Sequence, residues 1–341
     1  MKTTLKVIFC LFFCFSQAQS IERQVIGVSG ETLSNGTVSL DFTVGELAVT
    51  SITNGTTTLN QGFHQPNIVL GIKVNTIAFL QGALLNSTNG LMRDDLRAGF
   101  LPTTSPYSDT LTCVPSVFNT GGTSGTGLDT DDIVDWIFVE LRDENDNINV
   151  IANQSALLQR DGDIVSVDGI SDLEFNVAAK NYYVVVKHRN HLGIMTANTV
   201  ALSSTLLTVD FTDANNQVTF GTNAQTTFGM PSGVVALWAG DTNGDGRLNY
   251  SGTFSDIPSI RSHVFNDPNN SVFGGPPAAT YQSIGYFGTD VNMEGLTVYS
   301  GANSDVPNIR NNIFNNSSNS VFGGPPAATY VFIQQLPGGA N

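Results

Sequence analysis

Apolar and polar residues alternate with a period of two along Thr37-Val38-Ser39-Leu40-Asp41-Phe42-Thr43-Val44, the pattern of a strand with one buried face. Gln24-Val25-Ile26-Gly27-Val28 precedes it as a second strand, and Asn35-Gly36 and Asn54-Gly55 read as hairpin turns. Further along, Val134-Asp135-Trp136-Ile137-Phe138-Val139-Glu140-Leu141 is a largely apolar run, expected as a buried strand. Ala156–Gln159 and Ile164–Val167 flank Asp161-Gly162 and predict a hairpin; Tyr182–Lys187 and Leu206–Phe211 add two strands. A helical spacing appears only late, at Ile257, Ile260 and Val264, and again at Val306, Ile309 and Ile313. The pattern therefore predicts a mainly β chain: a small β module over 19–68, an immunoglobulin-like or jelly-roll β-sandwich over 72–235, and loop-plus-short-helix repeats over 236–341.

The first 18 residues carry a different signal. Lys2 and Lys6 precede an apolar core from Val7 to Phe15 that is too short to span a bilayer, and Ser16-Gln17-Ala18 is a small-x-small cleavage site. An exported mature chain starting near Gln19 is expected, at the cell surface, outside the cell or in the periplasm. No later segment is apolar enough to cross a membrane. Cys10 and Cys14 leave with the signal peptide, so Cys113 alone remains and no intramolecular disulfide can form.

Composition narrows the partners. The chain has 14 basic against 29 acidic residues, a formal net charge of −15, which repels phosphate backbones and argues against nucleic acid. Clustered carboxylates are, in contrast, suited to hard cations.

The strongest feature is an internal repeat. One copy starts DTNGDGRLNYSGTFSDIPSIRSHVF at Asp241, the other DVNMEGLTVYSGANSDVPNIRNNIF at Asp290, 49 residues later, and both close on Ser-Val-Phe-Gly-Gly-Pro-Pro-Ala-Ala-Thr-Tyr. In each copy oxygen-bearing side chains stand at positions one, three and five, Gly stands at six, and the carbonyl of position seven follows. That order winds a chain around Ca²⁺, which takes six to eight oxygens. Loop one offers Asp241, Asn243, Asp245, the carbonyl of Arg247 and Asn249. Loop two offers Asp290, Asn292, Glu294 and the carbonyl of Leu296. Position twelve is Gly252 or Gly301, and the closing acids, Asp256 and Asp305, come four residues later. Each is also placed to cap the helix that follows it. Two Ca²⁺ sites are expected; Mg²⁺ demands a tighter octahedron, and neither loop has the His or Cys that Zn²⁺ favours.

At these residues the last hundred positions resemble a type I dockerin, with paired loops and following helices. The resemblance implies two Ca²⁺ ions, a pseudo-two-fold packing of the helices, and a cohesin-like partner reading Tyr250-Ser251 and Tyr299-Ser300. Near the N-terminus, Val44-Gly45-Glu46 and Gln61-Gly62-Phe63-His64-Gln65-Pro66 resemble the leader module of exported proteins of Bacteroidota-type bacteria. These resemblances imply a surface protein of adhesin type, with a protein or glycan ligand.

Other candidates have plainer readings. His188-Arg189-Asn190-His191 follows a strand; if extended, it places the two His on opposite faces, unable to share an ion. Asp129, Asp131, Asp132 and Asp135 read as a solvated acidic loop, and Gly121–Gly127 as a flexible one. No nucleophile elbow, phosphate loop, dinucleotide fingerprint or HExxH string is present, so no catalytic or organic-cofactor residues are expected. The sequence therefore points to a calcium-binding, adhesin-like protein and not an enzyme. The alternative is a carbohydrate-active accessory protein or enzyme that docks through its dockerin-like end.

Overall fold

The computed structural model describes residues 29–34, 39–44, 51–53, 58–60, 71–87, 90–97, 99–118, 129–271, 275–319 and 325–338. The signal segment, the strand expected at Gln24–Val28, the Gln61–Pro66 motif and the Gly121–Gly127 loop lie outside them. The chain divides into two compact units, Met1–Ile68 and Val69–Asn341.

In the first unit β1 (Ser29–Ser34) pairs antiparallel with β2 (Ser39–Val44), Ser34 opposite Ser39. β3 (Ser51–Thr53) pairs with β4 (Thr58–Asn60), Thr53 opposite Thr58. Each pairing spans one of the two Asn-Gly signals, with four residues between the paired ends where a two-residue turn leaves two.

The second unit is mainly β and consistent with a β-sandwich. Its strands are β5 (Ile72–Ile77), β6 (Ile133–Asp143), β7 (Asp146–Gln159), β8 (Asp163–Val165), β9 (Leu173–Phe175), β10 (Lys180–Lys187), β11 (Ile194–Met195), β12 (Val200–Leu202) and β13 (Leu207–Asp210). They hydrogen-bond in the order β11-β10-β6-β7-β8-β5-β13, with β12 also on β10 and β9 also on β5. The ladder is antiparallel except for β13, which runs parallel to β5. A short helix, α1 (Gln81–Leu84), follows β5, and β14 (Gln225–Thr226) pairs with β15 (Ala236–Leu237) ahead of the repeats.

The apolar run of the Trp136 strand becomes β6, buried through Arg142. Successive side chains alternate between its two faces. Ile137, Val139 and Leu141 join Val184 and Val186 of β10 in the main core. On the other side the Trp136 indole N–H donates to Pro102 O at 2.8 Å, Phe138 lies 5.1 Å from the Tyr107 ring, and Arg142 holds Glu140 at 2.9 Å. The β7–β8 hairpin forms around Asp161-Gly162 as expected, with Leu157 opposite Val165.

The repeats contribute β16 (Arg247–Asn249), α2 (Ile257–Asn266), β17 (Gln282–Ile284), β18 (Leu296–Val298), α3 (Val306–Asn315) and β19 (Val331–Ile333). They share a core of Leu248, Ile260, Val291, Ile309, Ile313 and Phe332 with Leu192 and Trp238. Among the described residues no helix is long and apolar enough to cross a membrane.

Candidate metal centre

Each loop is wound by its own aspartates. In loop one the Asp241 carboxylate accepts the N–H groups of Asp245 at 3.1 Å and Gly246 at 3.0 Å. Asn243 Oδ1 accepts from Asp245 N–H at 3.0 Å and Asp245 Oδ1 from Arg247 N–H at 2.9 Å. Loop two repeats the frame: Asp290 accepts from Glu294 at 3.2 Å and Gly295 at 2.8 Å. Position six needs its Gly in both, at φ 73° for Gly246 and 82° for Gly295, a region that side chains avoid. Arg247 and Leu296 open β16 and β18, where the chain leaves each loop.

Asp256 and Asp305 close the loops from outside them. Asp256 accepts from Thr242 N–H at 3.0 Å and Asn249 N–H at 2.9 Å; Asp305 accepts from Val291 at 2.7 Å and Val298 at 2.8 Å. This corrects the expected helix-capping role. Both residues precede their helices, but neither side chain bonds the helix N-terminus. The loop amides occupy these oxygens, and Pro258 and Pro307 in the first turn leave the helices fewer N–H groups to cap.

The result is a concentration of buried negative charge. Asp241 is 7% exposed, and Asp256, Asp290 and Asp305 are fully buried. Burial pushes Asp241 up to about 6, with Asp245 adding repulsion. Burial pushes Asp256 up to about 8, with Asp241 and Asp245 repelling it. Burial pushes Asp290 up to about 7 and holds Asp305 well above the ordinary carboxylate range; Glu294 repels the first, Asp290 the second, and Arg189 eases Asp290. Asn249 is 1% exposed, and its Oδ1 has no hydrogen-bond partner. The same is true of Asn292 Oδ1 and Glu294 Oε1. Among the described residues no three His, Cys, Asp or Glu side chains form a metal cluster of their own. A cation at either loop would have to draw on amide and main-chain oxygens besides the carboxylates. Two features differ from a simple open loop: the Arg247 guanidinium lies 3.4 Å from Asp245, and Val298 is buried where loop one has Asn249.

The duplication is also reciprocal in space. Helix α2 packs on β17 and β18, next to the other copy's loop, while α3 packs on β16. Tyr250 meets Phe314 edge-on at 6.3 Å, and Tyr299 meets Phe265 at 6.0 Å. β16 pairs with β19 and β17 with β18, so each loop's strand is completed by the segment that closes a copy. Asn270 and Asn319 fix those segments identically: each carboxamide donates to a helix carbonyl, Val264 O or Ile313 O, and exchanges bonds with Ala278 or Ala327.

A polar network that the sequence did not suggest lies beneath the loops. His188 and His191 are not on opposite faces of a strand. β10 ends at Lys187, and the turn after it brings the two rings together, Nδ1 to Nδ1 at 3.0 Å. Nor is Asp135 part of a solvated loop. It is fully buried in β6 and takes His188 Nε2 at 3.0 Å, Arg189 Nε at 3.1 Å and Tyr286 O–H at 2.6 Å. Burial alone would raise the Asp135 carboxyl, but Arg189 and then His188 outweigh it and hold it below the ordinary range. Burial lowers both histidines, most strongly His191, keeping them neutral. Two His, an Arg and an Asn packed into four residues after a buried strand were the available signal.

No family model matches the chain, and no curated protein matches it. It is similar to a solved structure of an interface mutant of a type II cohesin–X-dockerin complex from Acetivibrio cellulolyticus, at 19% identity over 51% of this chain and 77% of that one, with a TM-score of 0.26.

Proposed function

We propose that this is an exported protein that binds two Ca²⁺ ions in its C-terminal loops and, so stiffened, binds a protein or glycan ligand at the cell surface. The observation that carries the calcium reading is the repeated burial of paired aspartates, Asp241 with Asp256 and Asp290 with Asp305, beside oxygens left without partners. A hard cation would balance that charge and use those oxygens. The dockerin-like arrangement, an EF-hand-type loop followed by a short helix and a reciprocal copy, belongs to the same reading, as does the immunoglobulin-like character of the sandwich. Binding and not catalysis is proposed because the His188–Asp135 pair, the most enzyme-like constellation, has both side chains fully buried.

Calorimetric titration of the full mature chain with Ca²⁺ tests the metal reading. Uptake of two ions, abolished in Asp241→Ala/Asp290→Ala, is expected; no uptake by the native chain overturns it. A glycan array and an envelope pull-down, each with Ca²⁺ or EDTA, test the ligand reading.

A further inference from the structure

We propose that Asn190 is a positioning residue that couples the two loops, so that Ca²⁺ in one raises the affinity of the other. The inference rests on the calcium reading above. Asn190 is fully buried in the turn after β10 and touches the first residue of both loops. Its main-chain carbonyl accepts the N–H groups of Gly240 at 2.9 Å and Asp241 at 3.2 Å. Its carboxamide Nδ2 donates to the main-chain carbonyl of Asp290 at 2.6 Å.

The neighbours fix which way the carboxamide faces. Gly82 N–H donates to His191 Nε2 at 3.1 Å, so in the neutral ring the proton is on Nδ1. That Nδ1–H lies between Asn190 Oδ1 at 2.8 Å and His188 Nδ1 at 3.0 Å, and the carboxamide Nδ2 is turned to Asp290. The turn is anchored on either side: Arg189 holds Asp135 and also donates to Phe287 O, and Leu192 belongs to the core of the repeats. One residue thus links the peptide units that aim Asp241 and Asp290, with little freedom to relax.

A cation that orders one loop fixes the peptide that carries its first ligand. Through Asn190 the same ordering reaches the first residue of the other loop, whose own ordering then costs less. Positive cooperativity follows without any large movement.

The test uses the full mature chain and Ca²⁺ alone, titrated by calorimetry and by competition with a chromophoric chelator. Loop-one affinity is read with loop two intact and with loop two disabled by Asp290→Ala. The native chain should show a coupling of about tenfold, within the usual range for linked sites. In Asn190→Ala the coupling should collapse to within about twofold of unity, with both sites still filling. Asn190→Asp keeps the shape but removes the donor to Asp290 O, and should lose the coupling in the same way. A role in stability alone would weaken both sites, or lower the melting temperature, without changing their ratio. Independent sites in the native chain, or coupling that survives in either Asn190 variant, overturns the proposal while leaving the calcium reading intact. Absence of Ca²⁺ uptake overturns both. If the Asn190 variants do not fold, Asp290→Ala alone still decides against coupling when loop one keeps its native affinity.

Discussion

Loop one carries Asp245 and Asn249 where loop two carries Glu294 and Val298, and the two are housed differently. In loop one, Asn243 is exposed, and nothing crowds Gly244, whose notional Cβ has no atom within 4 Å. In loop two the equivalent of Gly244 is Met293, buried in the main core, and Phe100 lies 2.7 Å from where a Gly295 Cβ would stand. Arg93 donates to Asn292 O, and Arg189 lies close enough to ease the charge on Asp290. One frame has thus been used in two ways. Loop one keeps more oxygens and more access, whereas loop two has given up an oxygen and gained packing against the sandwich and cationic neighbours. A cation nearby opposes a second one, but each loop has such a neighbour: Arg247 lies on Asp245 in loop one, as Arg93 and Arg189 lie by loop two. It is therefore the extra oxygen and the access that favour tighter binding in loop one.

The largest effect should come from the metal itself. At free Ca²⁺ a hundredfold above Kd, mass action contributes about 2.7 kcal/mol for each filled site. For a unit of this size each filled site raises the melting temperature by about 5–10 °C over EDTA, read by circular dichroism. Because the turn at His188–His191 and Leu192 ties the repeats to the sandwich, the whole of Val69–Asn341 should melt later together. Identical melting in the two buffers would reduce the loops to ordinary turns.

The contrast between loops is next. In Asp290→Ala the surviving loop one should hold Ca²⁺ about tenfold more tightly than loop two does in Asp241→Ala, a difference of about 1.4 kcal/mol. Coupling lowers both residual affinities but not their order. Equal residual affinities by calorimetry would erase the distinction.

Acidity gives a smaller effect. Asp241, Asp290 and Asp256 are raised to about 6, 7 and 8, so without metal they favour the fold while protonated. That stability is complete below the ordinary carboxylate range and is lost as pH rises through those values. Ca²⁺ takes the ionised carboxylates. The melting-temperature gain from Ca²⁺ should therefore grow between about pH 5 and about pH 8. The lowered histidines shift with the opposite sign but are present in both buffers, so they cancel in the difference. A gain that is flat or falling with pH would count against filled loops.

The smallest change is Asn249→Val, which gives loop one the residue of loop two. The Asn249 carboxamide donates to Tyr330 O at 3.2 Å. Losing it should cost about 1 kcal/mol of stability and bring the two affinities within a few-fold of each other. Affinities that stay as far apart as before would assign the difference to Arg93 and Arg189 instead.

Much of this was visible in the chain because it depends on local pattern. The buried run of β6, the Asp161-Gly162 hairpin and the doubled Asp/Asn/Gly frame are all properties of neighbouring residues. What escaped depends on where distant segments meet. Reading 188–191 as extended separated two histidines that in fact touch, because the turn after Lys187 is set by packing against Trp238 and the repeats. Asp135 looked like one of several surface acids, since nothing nearby in sequence announces Arg189 or Tyr286 as its partners. The capping role given to Asp256 and Asp305 was sound chemistry for an isolated helix; loop amides from earlier in the chain won the competition.

The pairing of β16 with β19 has a consequence for the order in which the chain is made. Loop one is synthesised well before loop two, yet the strand that flanks it comes from the close of the second copy. Until that closing segment has emerged, Arg247–Asn249 lacks its partner and the Asn249 carboxamide lacks Thr329 and Tyr330. The first loop to appear is therefore the last to be finished, and a nascent chain halted between the copies would carry the frame of a binding loop with its flank still open.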